Sequence, residues 1–451
     1  MEYFNKNTSN YRTALKNNLI TRYLLKLELL SYYENTIGEI TKDIALEVQG
    51  QININYKQLT RRSCSLTLAN IEDKYLPSPN SPIWYLRKFK LWLGIEDNYG
   101  DIWWFSQGVY CIVSATANAH TVQIEAVDKG GALDGTLKLN LAEVQYVVES
   151  GNTITDIIRD TLALNIGGNV SMTNSEAYGG ANMPIDPVPP LIDIRYNKQK
   201  IKADISIDAN NYIGNIFTSL ADGYGADIFY DGDGHFRFNA LADIFFVDGY
   251  KYMAAQWEYD NLSEANCQYN FDGLNAVTVY TNMSTDTQAL INAQIEAKTN
   301  SEDDEDEGTV ADNSDEIEDT KVQNISYTAY NVNPLSPIRV GAVGVRRMES
   351  QEIDYIDTTE SDMEARCQQY AVMLLHRQTM VGATLNFSSP IIPHIDVNKT
   401  VRITDEYQNI DNELFVVQSV TIPLGAGAMQ ISATNINWLP SGINVEGMGM
   451  G

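Results

Sequence analysis

Between Ser361 and Ile436 the hydrophobic period of the sequence switches once, and that switch limits the fold more than any other feature. From Asp362 to Arg377 the apolar residues follow a helical spacing, with Cys367, Tyr370, Ala371 and Leu374 at i, i+3, i+4 and i+7. Ser361-Asp-Met-Glu364 supplies a capping box, and Arg377 suits the C-terminal end of the helix dipole. Four strand-like runs follow: Ala383–Ser388, Thr400–Thr404, Leu414–Ile422 and Met429–Ile436. The first alternates, with Ala383, Leu385 and Phe387 on one face, whereas Leu414–Val420 is nearly continuous and reads as buried on both faces. The expectation is a compact β-barrel element with a helix laid across it, which points to assembly rather than chemistry.

Short alternating runs also fill the front of the chain. Tyr23–Leu30, Ile52–Tyr56, Cys64–Ala69, Phe89–Leu93, Val109–Val113 and Thr121–Ala126 are separated by turn signals at Pro77-Ser-Pro79, Asn98-Tyr-Gly100 and Asn118. Strands at this spacing predict a first β-barrel domain over residues 23–129. Residues 130–260 change character. Thr153-Ile-Thr-Asp156 begins a helix with Ile154, Ile157, Ile158 and Leu162 on one face. A second helix is expected over Asn211–Asp222, ended by Gly223 or Gly225 in a left-handed cap. Ala226–Tyr230 and His235–Phe238 then form a hairpin across Asp231-Gly-Asp-Gly234, which completes an α+β insert. A second β-barrel domain is expected over 261–440, carrying the helix at 362–377 and an acidic loop at 296–319. Residues 1–22 form a basic arm, read either as a frayed tail or as a docking segment for an acidic neighbour. Residues 441–451 form a flexible Gly/Met tail. The fold class is therefore mainly β with an α+β insert: two β-barrel modules, one carrying a helix, around a smaller domain.

Charge narrows the partners. The 451 residues carry a formal net charge of −28, which repels polyanions and speaks against stable nucleic-acid binding. Twelve acids against a single lysine lie within 296–319, a run with too little apolar area to bury and so expected to be solvated. No apolar run is long enough for a membrane span, and Met1–Arg22 lacks the apolar region of a signal peptide, so the expected site of synthesis is the cytoplasm. Cys64, Cys111, Cys267 and Cys367 are far apart and form no metal-binding pair; they read as small buried hydrophobes.

The search for chemistry yields no catalytic, cofactor-binding or metal-ligating residue. His120, His235, His376 and His394 build none of the familiar catalytic or zinc spacings. Asp231-Gly-Asp-Gly-His235 resembles a calcium loop only superficially, because His235 stands where a third ligand is needed. Trp103, Trp104 and Tyr110 are candidates for a carbohydrate platform, although core and interface packing is the commoner use of such rings.

Several stretches resemble baseplate hub proteins of phage tails, of the late-control-protein-D type. They are Glu364-Ala-Arg-Cys-Gln-Gln-Tyr370, Pro393-His-Ile-Asp-Val-Asn-Lys-Thr-Val-Arg-Ile403, and the final strand pair Phe415–Ile422 with Met429–Ile436. Arg61–Asn70, Lys74–Pro77, Arg87–Gly94 and Trp104–Val109 are similar to hub-like tail proteins of Gram-positive phages and prophages. The resemblance spans Tyr23 to Pro440. It implies two tail-tube-like β-barrels per chain and a homotrimeric ring. That ring adapts a sixfold tail tube to a threefold spike and lines a central channel. The implied partners are a tail tube or tube-initiator protein, a spike or tail-tip protein, a tape measure protein, and a baseplate wedge or distal tail protein. The implied location is the virion tail baseplate, assembled in the host cytoplasm, without enzymatic activity. A tail-associated cell-wall-degrading or glycan-binding tail-tip protein is the alternative. The cell-wall-degrading type adds a hydrolase domain after the hub, for which a chain ending at Gly451 is expected to have no room.

Because the run at 300–319 has no core residues to lose, its deletion is expected to leave the thermal unfolding midpoint unchanged in calorimetry.

Overall fold

The computed structural model describes residues 8–17, 19–40, 50–56, 58–69, 75–138, 145–164, 184–202, 204–240, 254–269, 274–281, 325–334, 336, 338–346, 350–353, 360–378, 383–425 and 427–435. The acidic loop 296–319, the tail 441–451 and the first seven residues of the basic arm lie outside this set.

The period-two runs form strands whose pairing links both ends of the chain. In the front half these are β1 (Ile20–Leu30), β2 (Thr36–Ile40), β3 (Gly50–Asn55), β4 (Arg62–Ala69), β5 (Lys88–Asp97), β6 (Ile102–Ala117) and β7 (Thr121–Asp128). They pair antiparallel in the order β3-β4-β7-β6-β5-β1-β2. In the rear half β13 (Glu258–Asp260), β14 (Ser263–Tyr269), β18 (Ala383–Ser389), β19 (Thr400–Asp405), β20 (Ile410–Pro423) and β21 (Met429–Asn435) pair in the order β14-β18-β21-β20-β19-β13. The two halves are fused. β3 pairs antiparallel with the end of β20, from Asn55 opposite Ser419 to Gln51 opposite Pro423. Among the described residues this makes one sheet of thirteen strands. The protein is thus mainly β, as its alternation predicts.

One apolar core lies under both halves. Ile52, Ile54, Leu66, Phe89, Leu91 and Ile124 from the front share it with Leu385, Phe387, Val401, Phe415, Val420 and Ile431 from the rear. Leu414–Val420 is buried on both faces, as its continuous hydrophobicity requires. Phe415 and Val417 enter this core, while Val416 enters a second one on the other side.

That second core belongs to the α+β part. α2 (Ile154–Leu162) begins at Thr153, whose hydroxyl accepts from the Asp156 amide at 3.1 Å. α3 (Asn215–Tyr224) starts four residues later than its apolar stripe alone indicates and ends at Gly225, whose φ of 60° meets no steric cost in glycine. Two short strands, β8 (Tyr146–Val148) and β10 (Ile205–Ile207), pair antiparallel, and the hairpin β11 (Ala226–Tyr230) and β12 (Phe236–Ala240) forms as expected, with β9 (Leu191–Ile192) parallel beside β12. Its turn is a capped loop: the Asp231 carboxylate accepts the amides of Asp233 and His235 and the Arg237 Nε.

The long helix differs in place from the sequence expectation. It runs from Glu360 to Gln378, and we label it α5; α4 is the short turn Val340–Val343. Cys367, Tyr370, Ala371 and Leu374 are buried as predicted, but Val372, Met373 and Leu375 are buried as well. The helix does not lie across the four closing strands. It packs between α3 and a small sheet of β15 (Ala276–Thr281), β16 (Ile325–Tyr330) and β17 (Gln351–Glu352), so apolar residues are needed on more than one side. Arg366 ties it to α3 by stacking over the Tyr224 ring at 3.8 Å and donating to the Gly223 carbonyl at 2.7 Å.

The basic arm is neither frayed nor free where it is described. Thr8–Lys16 forms α1, and Ile20–Arg22 already belongs to β1. Tyr11 is buried between Phe105 of the front half and His394 of the rear, with ring centroids 5.0 and 5.4 Å away. Lys16 reaches Glu258 at 3.0 Å. The arm docks on its own chain, across the seam between the halves. Tyr11→Ala is expected to release this helix, seen as faster tryptic cleavage after Arg12, while the main unfolding transition keeps its midpoint.

Candidate assembly surface

The strand order repeats. Reading β5-β6-β7-β4-β3 against β19-β20-β21-β18-β14 brings matched residues together at matched places; outside this run the two differ, with β1 antiparallel to β5 and β13 parallel to β19. Val122-Gln-Ile-Glu-Ala126 on β7 corresponds to Met429-Gln-Ile-Ser-Ala433 on β21. Each of these strands faces a bulged partner: the register slips between Ile112 and Ser114 on β6 and between Val417 and Ser419 on β20. After the bulges come Ser114-Ala-Thr-Ala117 and Ser419-Val-Thr-Ile422. The hairpin tips agree too. Asp97 closes the β5–β6 turn by accepting the amides of Tyr99 and Asp101 at 2.8 and 3.0 Å. Asp405 closes the β19–β20 turn by accepting the Tyr407 amide at 2.9 Å. Both aspartates are buried, and both tip tyrosines stand out, 78% and 91% exposed. Two copies of one strand motif therefore sit in one chain, each with the same turn chemistry.

Between them and the α+β part lies a buried ionic seam. The Arg62 guanidinium on β4 meets both carboxylate oxygens of Asp396 in the rear half at 2.8 and 2.9 Å. Gln107 donates to the Pro393 carbonyl at 2.9 Å across the same boundary. Arg61 turns the other way, pairing with Asp227 on β11 at 2.5 Å and covering the Phe229 ring at 4.0 Å. Lys129 bridges Glu34 and Asp186 at 2.8 and 2.9 Å, and Lys88 also holds Glu34, at 2.9 Å. Burial alone would raise the Glu34 carboxyl, but the two ammonium groups outweigh it and hold its pKa below the usual value. Burial also works against the charged Lys129, and the carboxylates of Asp186 and Glu34 overcome it and raise its pKa. Asp128 goes the other way: burial lifts it to about 7, although the Arg62 and Gly130 amides donate to it. His394 is driven down to about 4 by burial and donates its Nε2–H to the Gln256 carbonyl at 2.9 Å. Cations and anions are matched along this seam, so it works as a set of locks between modules.

The carbohydrate candidates do not converge. Tyr110 is fully buried, stacked on Phe89 at 5.5 Å, with its hydroxyl donating to the Gln107 carbonyl. Trp103 and Trp104 are neighbours on β6 and point to opposite faces. Trp103 packs beside Tyr11 and Phe105, whereas Trp104 lies over Gly94 and beside the Lys26 ammonium at 5.3 Å. The Asp231 turn docks on the front half instead of offering a cation site: Asp233 pairs with Lys90 at 3.0 Å, and Ser106 donates to the Gly232 carbonyl. His120 lies in the exposed β6–β7 turn, His235 contacts the Pro189 carbonyl, and His376 falls among side chains outside the described set. Cys64, Cys111 and Cys367 are buried, Cys267 is partly buried, and none is in a disulfide. Among the described residues no cluster of His, Cys, Asp and Glu has metal-binding geometry, and no helix is long and apolar enough to cross a membrane.

Two tube-like modules were expected from the resemblance, but sequence reading missed the seam and the residue-by-residue match between the modules. The paired arginines and the Asp-x-Tyr turns were both visible in the sequence, but nothing local shows what they face.

No family model and no curated protein matches the chain. Solved structures do. A tail protein from Neisseria meningitidis MC58 is similar over 93% of this chain and 98% of its own, at 11% identity and a TM-score of 0.51. The 43 kDa tail protein of prophage MuSo2 from Shewanella oneidensis is similar over 93% and 100%, at 11% identity, with a TM-score of 0.47, below the level that assigns a fold. The chain has the fold of a phage-type tail protein, of the kind its resemblance to baseplate hubs implies.

Asp227→Ala would strand the Arg61 charge among apolar atoms, and about 3–5 kcal/mol of stability is expected to be lost in urea unfolding. Lys16→Ala, which breaks an exposed pair, is expected to cost less than about 1 kcal/mol in the same measurement.

Proposed function

We propose that this protein is a structural baseplate hub of a phage tail or phage-tail-like particle, built as a ring of three copies around a central channel. The observation that carries this reading is the doubled strand motif, fused through the β3·β20 ladder. A chain with two equivalent modules presents six of them when three copies close, which matches a sixfold tube on one side and a threefold spike on the other. The fold shared with a tail protein supports the tail assignment. The net charge of −28 suits a passage through which nucleic acid moves without adhering. Tail tube or tube-initiator, spike or tip, tape measure and wedge or distal tail proteins are the partners this role calls for, and the virion baseplate is its place.

The role is mechanical. The strongly interacting carboxylates of the seam face cations that they hold in place, and their arrangement serves cohesion between modules rather than proton transfer. The glycan-binding alternative loses its platform with Tyr110 in the core and the two tryptophans on opposite faces.

Native mass spectrometry of the purified chain, alone and with the tube and spike proteins encoded beside it, tests the proposal. Three copies per complex and a threefold ring in electron micrographs are expected. A chain that stays monomeric in the presence of both partners overturns the hub reading.

A further inference from the structure

Among the charged pairs that lock the modules, Lys129 with Asp186 differs in chemistry from the pairs made by arginine. The guanidinium groups of Arg61 and Arg62 do not give up a proton, so their contacts with Asp227 and Asp396 remain ion pairs. An amine can lose its proton and become a nucleophile. Lys129 follows β7 directly, and Asp186 lies 57 residues further on, in the insert. Their Nζ–Oδ1 distance is 2.9 Å, and their side chains are only 4% and 1% exposed. The pairs of Lys90 with Asp233 and of Lys16 with Glu258 are far more open to solvent.

Further groups converge on this pair. Glu34 Oε1 accepts from the same Nζ at 2.8 Å. Glu34 reaches in from the β1–β2 turn, where its backbone is held at φ 63°, a left-handed conformation that is costly for a residue with a side chain. Burial raises its carboxyl, but Lys88, 2.9 Å away, and Lys129 outweigh that effect, so Glu34 stays charged and ready to take a proton. The Val188 amide donates to Asp186 Oδ1 at 2.9 Å, and the Tyr230 hydroxyl interacts with the same carboxyl group. The buried Tyr230 ring covers the Lys129 Nζ at 5.0 Å. An amine, a carboxyl group, a second carboxylate on the amine and an amide donor on the carboxyl oxygen therefore meet in a space closed to bulk water.

We propose that Lys129 and Asp186 condense into an isopeptide bond, with Glu34 as the proton carrier. Glu34 takes one proton from Nζ and hands it to Asp186 Oδ2, which leaves a neutral amine beside a carboxylic acid. The Nζ lone pair then attacks Asp186 Cγ, and the Val188 amide holds the negative charge that develops on Oδ1. A second proton passes from Nζ through Glu34 to Oδ2, the Cγ–Oδ2 bond breaks, and Oδ2 leaves as water. One ammonium and one carboxylate become one secondary amide and one water, with no oxidant and no further reactant. Placement of the reacting groups side by side supplies the proximity that such a condensation lacks in solution. Burial opposes the charged Lys129, while Asp186 and Glu34 favour it, so the reaction draws on a minor neutral form and is slow. It has to occur only once per chain. The product replaces two buried charges by a neutral group, and the closed site keeps water from reversing it. The proton transfer thus yields a lock between the front strands and the insert, not a site that turns over. The bond uses nothing of the ring reading.

Mass spectrometry of the purified full chain, under denaturing and reducing conditions, reads the bond. The mass is expected to fall below that of the sequence by one water, about 18 Da. Tryptic mapping distinguishes this from dehydration elsewhere: Lys129 is expected to resist cleavage, with residues 91–138 and 160–195 joined in one branched species. Lys129→Arg and Asp186→Ala are each expected to show the full mass of their own sequence and no branched species. Glu34→Gln is expected to form the bond about 100-fold more slowly, read as full-mass chain that loses water over days. An unaltered chain at full mass, cleaved at Lys129 and with both peptides free, overturns the proposal whether or not the variants fold. A bond formed equally fast in Glu34→Gln overturns the role of Glu34. Neither mass depends on copy number, so a monomeric chain that carries the bond upholds this inference while the hub reading fails.

Discussion

The ladder between β3 and β20 is the contact on which the rest of this structure depends. It joins residues about 51–55 to 419–423 and turns two strand sets into one sheet over one core. Without it each set would end in an open edge next to half-covered isoleucines and valines. Closing a loop of such length carries an entropic cost that grows only slowly with length, and burial of Ile52, Ile54, Val420 and Ile422 offsets it. Everything between β7 and β18 is thereby confined: the α+β part and α5 grow out of a sheet whose ends are already fixed.

Charge then sets the orientation of the parts. Arg61 and Arg62 are adjacent where the chain enters β4, and their side chains leave in different directions, one toward Asp227 in the α+β hairpin and one toward Asp396 in the rear half. Glu34, Lys88, Lys129 and Asp186 hold the β1–β2 turn against the insert. These groups are costly to bury, and they repay that cost only when each finds its partner, so misplaced modules would leave several charges stranded at once. α1 adds a strap over the same seam through Tyr11. Shear between modules would have to break matched charges and not only slide apolar surfaces, which would suit the mechanical role proposed above.

Much of the architecture was legible in the residues. Alternation marked the strands because one face of each meets a core and the other meets water, as in Ile52-Asn-Ile-Asn55. The Thr153 cap, the Gly225 stop and the Asp231 turn were readable because each is completed within a few residues. The place of α5 was not readable, since its stripe says only that something apolar faces it; three further buried positions, Val372, Met373 and Leu375, come from a second neighbour that the stripe does not encode. The tryptophan pair misled for a related reason. Aromatic residues in a strand look alike whether they face ligand, solvent or core, and only the sheet puts Tyr110 over Phe89.

The sequence by itself determined the fold class, the strands and their caps, the acidic character and the absence of any known catalytic spacing, because these follow from local periodicity and composition. Tertiary structure alone decided which strands meet. It paired β3 with a strand more than three hundred residues away, matched each arginine to a distant carboxylate, and set Val122-Gln-Ile-Glu-Ala126 and Met429-Gln-Ile-Ser-Ala433 in equivalent places. The reason is physical: a strand's side chains record what its faces touch, while its edges are backbone, chemically the same in every strand, and carry no address until the sheet is assembled.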